Sequence, residues 1–136
     1  MKYLLDSDIC IDALANLDAW PIRELQDTRP ESLSISAITF GEVQTGMLYA
    51  RDTLRDRRRW SQFLRGVDML DVTEDIADVW AQLRGWLRQR GQIVGDNDLL
   101  IAATAIQFEM TLLSRNVRHF ARIPGLDLLV PVRETN

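Results

Sequence analysis

This chain of 136 residues has one cysteine, one histidine and one lysine. Cys10 alone can form no intramolecular disulfide and no multi-cysteine zinc site. His119 stands without a serine–base–acid spacing around it, which argues against a catalytic triad and for a surface or structural role. Lys2 is the only lysine, so chemistry that needs an amine deep in the chain is disfavoured. Long apolar runs are also missing. None approaches the roughly 18–20 residues that span a bilayer. The Tyr3-Leu4-Leu5 segment before Asp6 is too short for a signal-peptide core, so the expectation is a cytoplasmic protein.

The composition, 46% hydrophobic and 26% charged, is that of a soluble globular chain. Its length predicts one domain over residues 1–136. A net charge of −4 argues against coating nucleic acid by bulk electrostatics. Every basic residue except Lys2 is an arginine, and these cluster at 51–65, 84–90 and 115–122. Local patches that grip phosphate in a bidentate way remain open to such a chain.

Tyr3-Leu4-Leu5 reads as a buried strand, followed by a helix capped at Ser7 or Asp8 with Ile9, Ile11 and Leu14 on it. Pro21 is expected to open a helical turn toward Gln26. Residues 33–36 read as a second strand, with Ser36 or Thr39 capping a helix that carries Ile38, Val43 and Met47. An arginine-rich helix over 53–65 and a third strand over 67–72 follow. Ile76, Val79, Trp80, Leu83, Trp86 and Leu87 recur at three- and four-residue steps, a wide apolar helix face that Gly91 ends. A further helix starts at Gly95-Asp96, with Asp96 well placed as its cap. Strands are expected over 111–114 and 128–130. Strands alternating with helices predict an α/β fold with a parallel sheet covered on both faces.

Ligands of such sheets bind beyond the carboxyl ends of the strands. Asp6, Ser7 and Asp8 fall at one such end, and Ser114, Arg115 and Asn116 at another. Glu42 lies in the second turn of the helix after strand two, and Asp98 in the first turn of the helix before strand four. Carboxylates gathered there repel one another unless a cation compensates. Hard oxygen ligands suit Mg2+ or Mn2+, which also bind substrate phosphate and acidify a bound water. Each residue has a structural reading too: Asp6 and Asp8 as turn or cap residues, Thr39-x-x-Glu42 as a capping box, Asp98 as a dipole-favoured acid. Cys10 and the tryptophans read as core. The arginines of 51–65 read as a solvated face, while Arg115, Arg118 and Arg122 are candidates for phosphate contact.

Four blocks in order then resemble a PIN-domain protein of the VapC toxin type. They are Leu4-Leu5-Asp6-Ser7-Asp8-Ile9-Cys10, Ile35-Ser36-Ala37-Ile38-Thr39-Phe40-Gly41-Glu42, Asp98-Leu99-Leu100-Ile101-Ala102-Ala103, and Leu113-Ser114-Arg115-Asn116-Val117-Arg118-His119-Phe120 with Ile123-Pro124-Gly125-Leu126. The resemblance implies a three-layer α/β/α sandwich and a Mg2+- or Mn2+-dependent endoribonuclease acting on RNA. It also implies neutralisation by a VapB-like antitoxin whose tail lies across the site, and a homodimer. Carried over, Asp6, Glu42 and Asp98 are the catalytic acids, with Asp6 and Asp98 the principal metal ligands and Glu42 binding metal or positioning the attacking water. Ser7, Asp8, Asp96, Ser114 and Asn116 are supporting contacts, and Arg115 and Arg118 candidate RNA phosphate contacts. Asp8 departs from the family's common Asn, and Asn116 stands where some members have a fourth Asp.

Two other readings compete. Leu4-Leu5-Asp6-Ser7-Asp8 also resembles the opening motif of haloacid-dehalogenase-like phosphatases, where the first Asp is a nucleophile. That chemistry usually employs a lysine between its acidic motifs, and this chain has none after position 2. The other reading is a non-catalytic PIN-like module that binds metal, RNA or a partner without turnover.

Overall fold

The computed structural model describes residues 2–15, 33–49 and 53–131. Five short strands, β1 (Tyr3–Leu5), β2 (Leu33–Ser36), β3 (Asp68–Leu70), β4 (Thr111–Leu113) and β5 (Leu128–Leu129), form one parallel sheet in the order β3-β2-β1-β4-β5. The helices are α1 (Ser7–Ala15), α2 (Ala37–Leu48), α3 (Thr53–Leu64), α4 (Glu74–Gln89), α5 (Asp96–Gln107) and α6 (Val117–Phe120). The chain steps outward from β1 through β2 to β3, then crosses back to place β4 on the other side of β1. The order therefore reverses between β1 and β4, and their carboxyl ends flank the crevice where open α/β sheets bind ligands.

Strand alternation sorts the apolar residues into two cores. Leu4 pairs with Leu112 and packs with Ile76, Leu99, Ile101 and Phe120 beneath α4, α5 and α6. Leu5 pairs with Leu113 and packs with Ile9, Leu33, Ile35, Val43 and Trp60 beneath α1, α2 and α3. This is the three-layer α/β/α sandwich. Both central strands are covered on both faces, which explains why their sequences run apolar without alternation. Trp60 is core as expected, stacked between Phe40 at 6.0 Å and Phe63 at 5.6 Å. Cys10 is fully buried, and burial together with the charges of Asp6 and Asp8 drives its thiol pKa up, so it is unreactive.

Helix caps differ from the sequence reading at α1 and α5, and at α2 the first of its two candidates holds. Asp6, rather than Ser7 or Asp8, stands at the start of α1 and accepts from the Ser7 N–H at 2.8 Å. Ser36 caps α2 through the Ile38 N–H at 3.1 Å, so Thr39 lies inside the helix and forms no capping box with Glu42. Gly95, not Asp96, is the cap residue of α5 and has no side chain to contribute. The third strand is shorter than 67–72 because only its three middle residues pair with β2. Gly91 ends α4 as expected, at φ 66°, a conformation that an L side chain adopts only with strain. The expected turn from Pro21 to Gln26 lies outside the described residues. Among the described residues no helix is long and apolar enough to cross a membrane.

Leu112 is fully buried between β1 and β5. Leu112→Ala is expected to lower the unfolding free energy by about 2–5 kcal/mol in urea titrations.

Candidate active site at the switch point

Asp6 follows the central strand directly, and its backbone N–H extends the ladder by donating to the Leu113 carbonyl at 3.0 Å. Its side chain is thereby fixed at the carboxyl end of the sheet and is only 4% exposed. One carboxylate oxygen accepts from the Ser7 N–H, the other from the Ser114 hydroxyl at 2.7 Å. Ser114 directly follows β4 and also accepts from the Asn116 N–H at 3.0 Å. Asp8, in the first turn of α1, accepts from the Arg115 N–H at 2.9 Å, while its other oxygen is buried without a partner. The turns after β1 and β4 are tied together by these bonds.

Glu42 arrives from α2. One of its oxygens is buried with no hydrogen-bond partner. Burial pushes its pKa up, the charges of Asp6 and Asp98 push the same way, and a hydrogen bond from Ser7 opposes them. Asp98 reaches the same place from the first turn of α5 and adds to the charge felt by Asp6. Asp6, Asp8, Glu42 and Asp98, supplied by the β1–α1 junction, α2 and α5, thus form one electrostatically coupled group. Burial, partly offset by the Ser114 and Ser7 hydrogen bonds, raises Asp6 from its ordinary 3.8 to about 6. Among the described residues no three His, Cys, Asp or Glu side chains close tightly enough to chelate a metal ion unaided.

His119 joins the group. Its Nδ1 lies 2.8 Å from Asp98 Oδ2 and 3.0 Å from the Asn116 side-chain nitrogen. A hydrogen bond from His119 to the Asp98 carboxylate puts the proton on Nδ1, which then cannot also accept from the Asn116 amide. The sequence reading gives His119 a surface or structural role and no place in the site. Its spacing of three from Asn116 on a helical turn was the one available signal, and it says nothing about Asp98, 21 residues away.

The remaining candidates divide. Ser7, Asp8, Ser114 and Asn116 all stand in the network. Asp96 is exposed and lines a separate cleft with Arg84 and Arg88. The Arg115 guanidinium is ion-paired with Asp12, which leaves Arg118, exposed on α6, as the freer cation of the two. Several anionic oxygens at a sheet switch point, two of them buried without donors, are suited to a hard divalent cation and a phosphate ester.

Comparison with known proteins identifies the family. The PIN domain profile matches residues 3–126. Ribonuclease VapC2 of Rickettsia felis is 32% identical over 129 residues, covering 94% of this chain and 96% of the relative. The tRNA(fMet)-specific endonuclease VapC of Shigella flexneri is 29% identical over 126 residues, covering 93% and 95%. The crystal structure of VapBC2 from Rickettsia felis bound to a DNA fragment from its promoter superposes with a TM-score of 0.88 at 30% identity, covering 97% of this chain and all of that one. The chain belongs to the PIN-domain family, among its VapC-type ribonucleases.

The raised pKa of Asp6 has a consequence for stability. The folded state holds the Asp6 proton more tightly than the unfolded chain does, so this group's contribution falls as pH rises from about 4 to about 6 and stays low above that. Without divalent cations, Asp6→Asn is expected to be more stable than wild type by up to about 3 kcal/mol at pH 7–8. The advantage should vanish below pH 4. Urea unfolding in EDTA across this range measures it.

Proposed function

We propose that this chain is the toxin of a toxin–antitoxin pair and cleaves RNA endonucleolytically with the help of Mg2+ or Mn2+ held by Asp6 and Asp98. The observation that carries the reading is the buried, donor-free oxygen of Glu42, set among carboxylates whose charges help raise its pKa and that of Asp6. Acceptors without donors call for a cation, and an all-oxygen set calls for a hard one. Mg2+ keeps several waters and binds through one or two carboxylates, which agrees with two principal ligands and not a closed cage. When bound, such an ion acidifies a coordinated water and offsets charge on the phosphoryl oxygens.

The chain's own residues supply the rest. Ser7 and Ser114 hold Asp6 in one orientation while each carboxylate oxygen keeps a second lone pair. His119 Nδ1 turns the Asp98 carboxylate through one oxygen and leaves the other for the ion. Glu42, disposed by burial to take a proton, orients the attacking water. Arg118 meets the RNA backbone. Asp8 adds negative charge beside Asp6 and Asn116 withholds it, so a single ion is the primary complement.

The partner is a VapB-like antitoxin. The matching structures from Rickettsia felis and Salmonella typhimurium are VapBC complexes bound to DNA, at 30% and 28% identity. A groove of about 480 Å3 between α1, α2 and α3, walled by Ile11, Leu14, Val43 and Met47, offers apolar surface for the antitoxin's tail on its way to the site. The chain acts as one domain over 1–136 and assembles as a homodimer within that complex. The phosphatase reading finds no lysine beside Asp6, and the neighbours are ribonucleases.

Cleavage of RNA with Mg2+ or Mn2+, with EDTA, and by Asp98→Asn tests the reading. The wild-type protein should cut only with the cation, and Asp98→Asn should lose at least about a hundredfold in kcat. Mn2+ should raise the wild-type Tm and leave that of Asp98→Asn nearly unmoved. Full activity of a folded Asp98→Asn protein sinks the site assignment. His119→Asn, whose amide nitrogen replaces Nδ1, should keep Mn2+ affinity, whereas His119→Ala should weaken it several-fold in a calorimetric titration.

A further inference from the structure

A cleft of about 310 Å3 opens between the C-terminal half of α4 and the first turn of α5. Its floor is apolar, made by Leu87, Val94 and Leu99, all nearly or fully buried. Its cations are Arg84 and Arg88, four residues apart and so on one face of α4. Neither takes part in the ion pairs found among the described residues. Arg84 lies over the Trp80 ring at 5.0 Å. That cation–π contact biases the guanidinium toward the ring, and Arg84 remains partly exposed at the cleft. On the lip Ile93 is 85% exposed, an apolar side chain held out in water.

The cleft borders the carboxylate cluster. Asp96 on its rim and Asp98 in the cluster leave different sides of the same first turn of α5. The two sites are therefore about one helix width apart, roughly 10 Å. RNA approaching four coupled carboxylates on a chain of net charge −4 is repelled, and cations close to the cluster must offset that. Single-stranded RNA is recognised through splayed bases that stack on guanidinium planes and apolar side chains, with phosphates on arginine. The volume is at the small end for ligand pockets and suits one nucleotide better than a folded segment.

We infer that this cleft is an RNA subsite that seats a nucleotide neighbouring the scissile bond, its phosphate on Arg88 and Arg84 and its base against Arg84, Leu87 and Ile93. The inference rests on the ribonuclease reading. A second basic stripe, Arg57, Arg58 and Arg65 on and just after α3, does not qualify. Arg65 precedes the start of β3, at the edge of the sheet opposite the strand ends that carry the cluster.

Steady-state cleavage of a short single-stranded RNA decides the matter, comparing wild type, Arg88→Ala, Arg84→Ala/Arg88→Ala, and Arg57→Ala/Arg65→Ala as control. Arg88 is exposed, so its replacement leaves the fold intact. KM should rise about tenfold for Arg88→Ala and further for the pair, with kcat within about twofold, and the salt dependence should lose a slope of about one per arginine. The control should match wild type. A non-cleavable 2′-O-methyl RNA of the same sequence, followed by fluorescence anisotropy in EDTA, should give the same ranking without turnover. An unchanged KM in the double variant overturns the subsite, as does a loss in kcat alone or an equal loss in the control, which would mean diffuse attraction. Absence of cleavage by wild type would strike the ribonuclease reading instead, and anisotropy would still judge the cleft.

Discussion

A carboxylate is buried at the end of the central strand, and much of the architecture follows from that. Asp6 sits where β1 and β4 diverge, bonded to both through the Leu113 carbonyl, the Ser7 N–H and the Ser114 hydroxyl. Two hydrogen bonds do not repay the loss of water around it, which is why its pKa climbs to about 6. Bringing Asp8, Glu42 and Asp98 within range compounds the strain. A fold that accepts this at the end of its central strand gives up stability at that point, a pattern common to functional sites.

The sandwich makes such a concentration of charge possible. Two separate apolar cores, one on each face of a five-stranded sheet, anchor the helices that carry Glu42 and Asp98. Each acid stands in or beside the first or second turn of a helix whose remaining turns pack on the sheet. α6 then adds His119 from the chain after β4, beside Asp98, so that the carboxylate from α5 is oriented by a side chain from the following β4–α6 connection. The cleft flanked by Arg84 and Arg88 lies on the other side of the same α5 turn. One helix end thereby separates the carboxylate cluster from the arginines of the cleft.

Much of this was readable in residues 3–131. Short apolar segments at 3–5 and 112–113 and the Leu33, Ile35 alternation of 33–36 marked the strands, and the three- and four-residue spacing of Ile76, Val79, Trp80, Leu83 and Leu87 marked α4. Helix starts were less legible. Asp6, Ser7 and Asp8 are all good caps, as are Ser36 and Thr39, and local preference does not choose between neighbours when the sheet register decides where the chain turns. Arg115 looked like a phosphate ligand because its spacing from the strand end was right, yet Asp12, 103 residues away, already holds it.

The order of strands and helices and the strand-end positions of Asp6 and Ser114 are legible in the chain, because periodicity and turn position are local properties. Tertiary structure alone decided which groups meet: His119 with Asp98, Arg115 with Asp12, Ser114 with Asp6, and Arg84 and Arg88 with the first turn of α5. Such pairs depend on the reversal of strand order between β1 and β4, and no local pattern in the chain encodes the distance across that crevice.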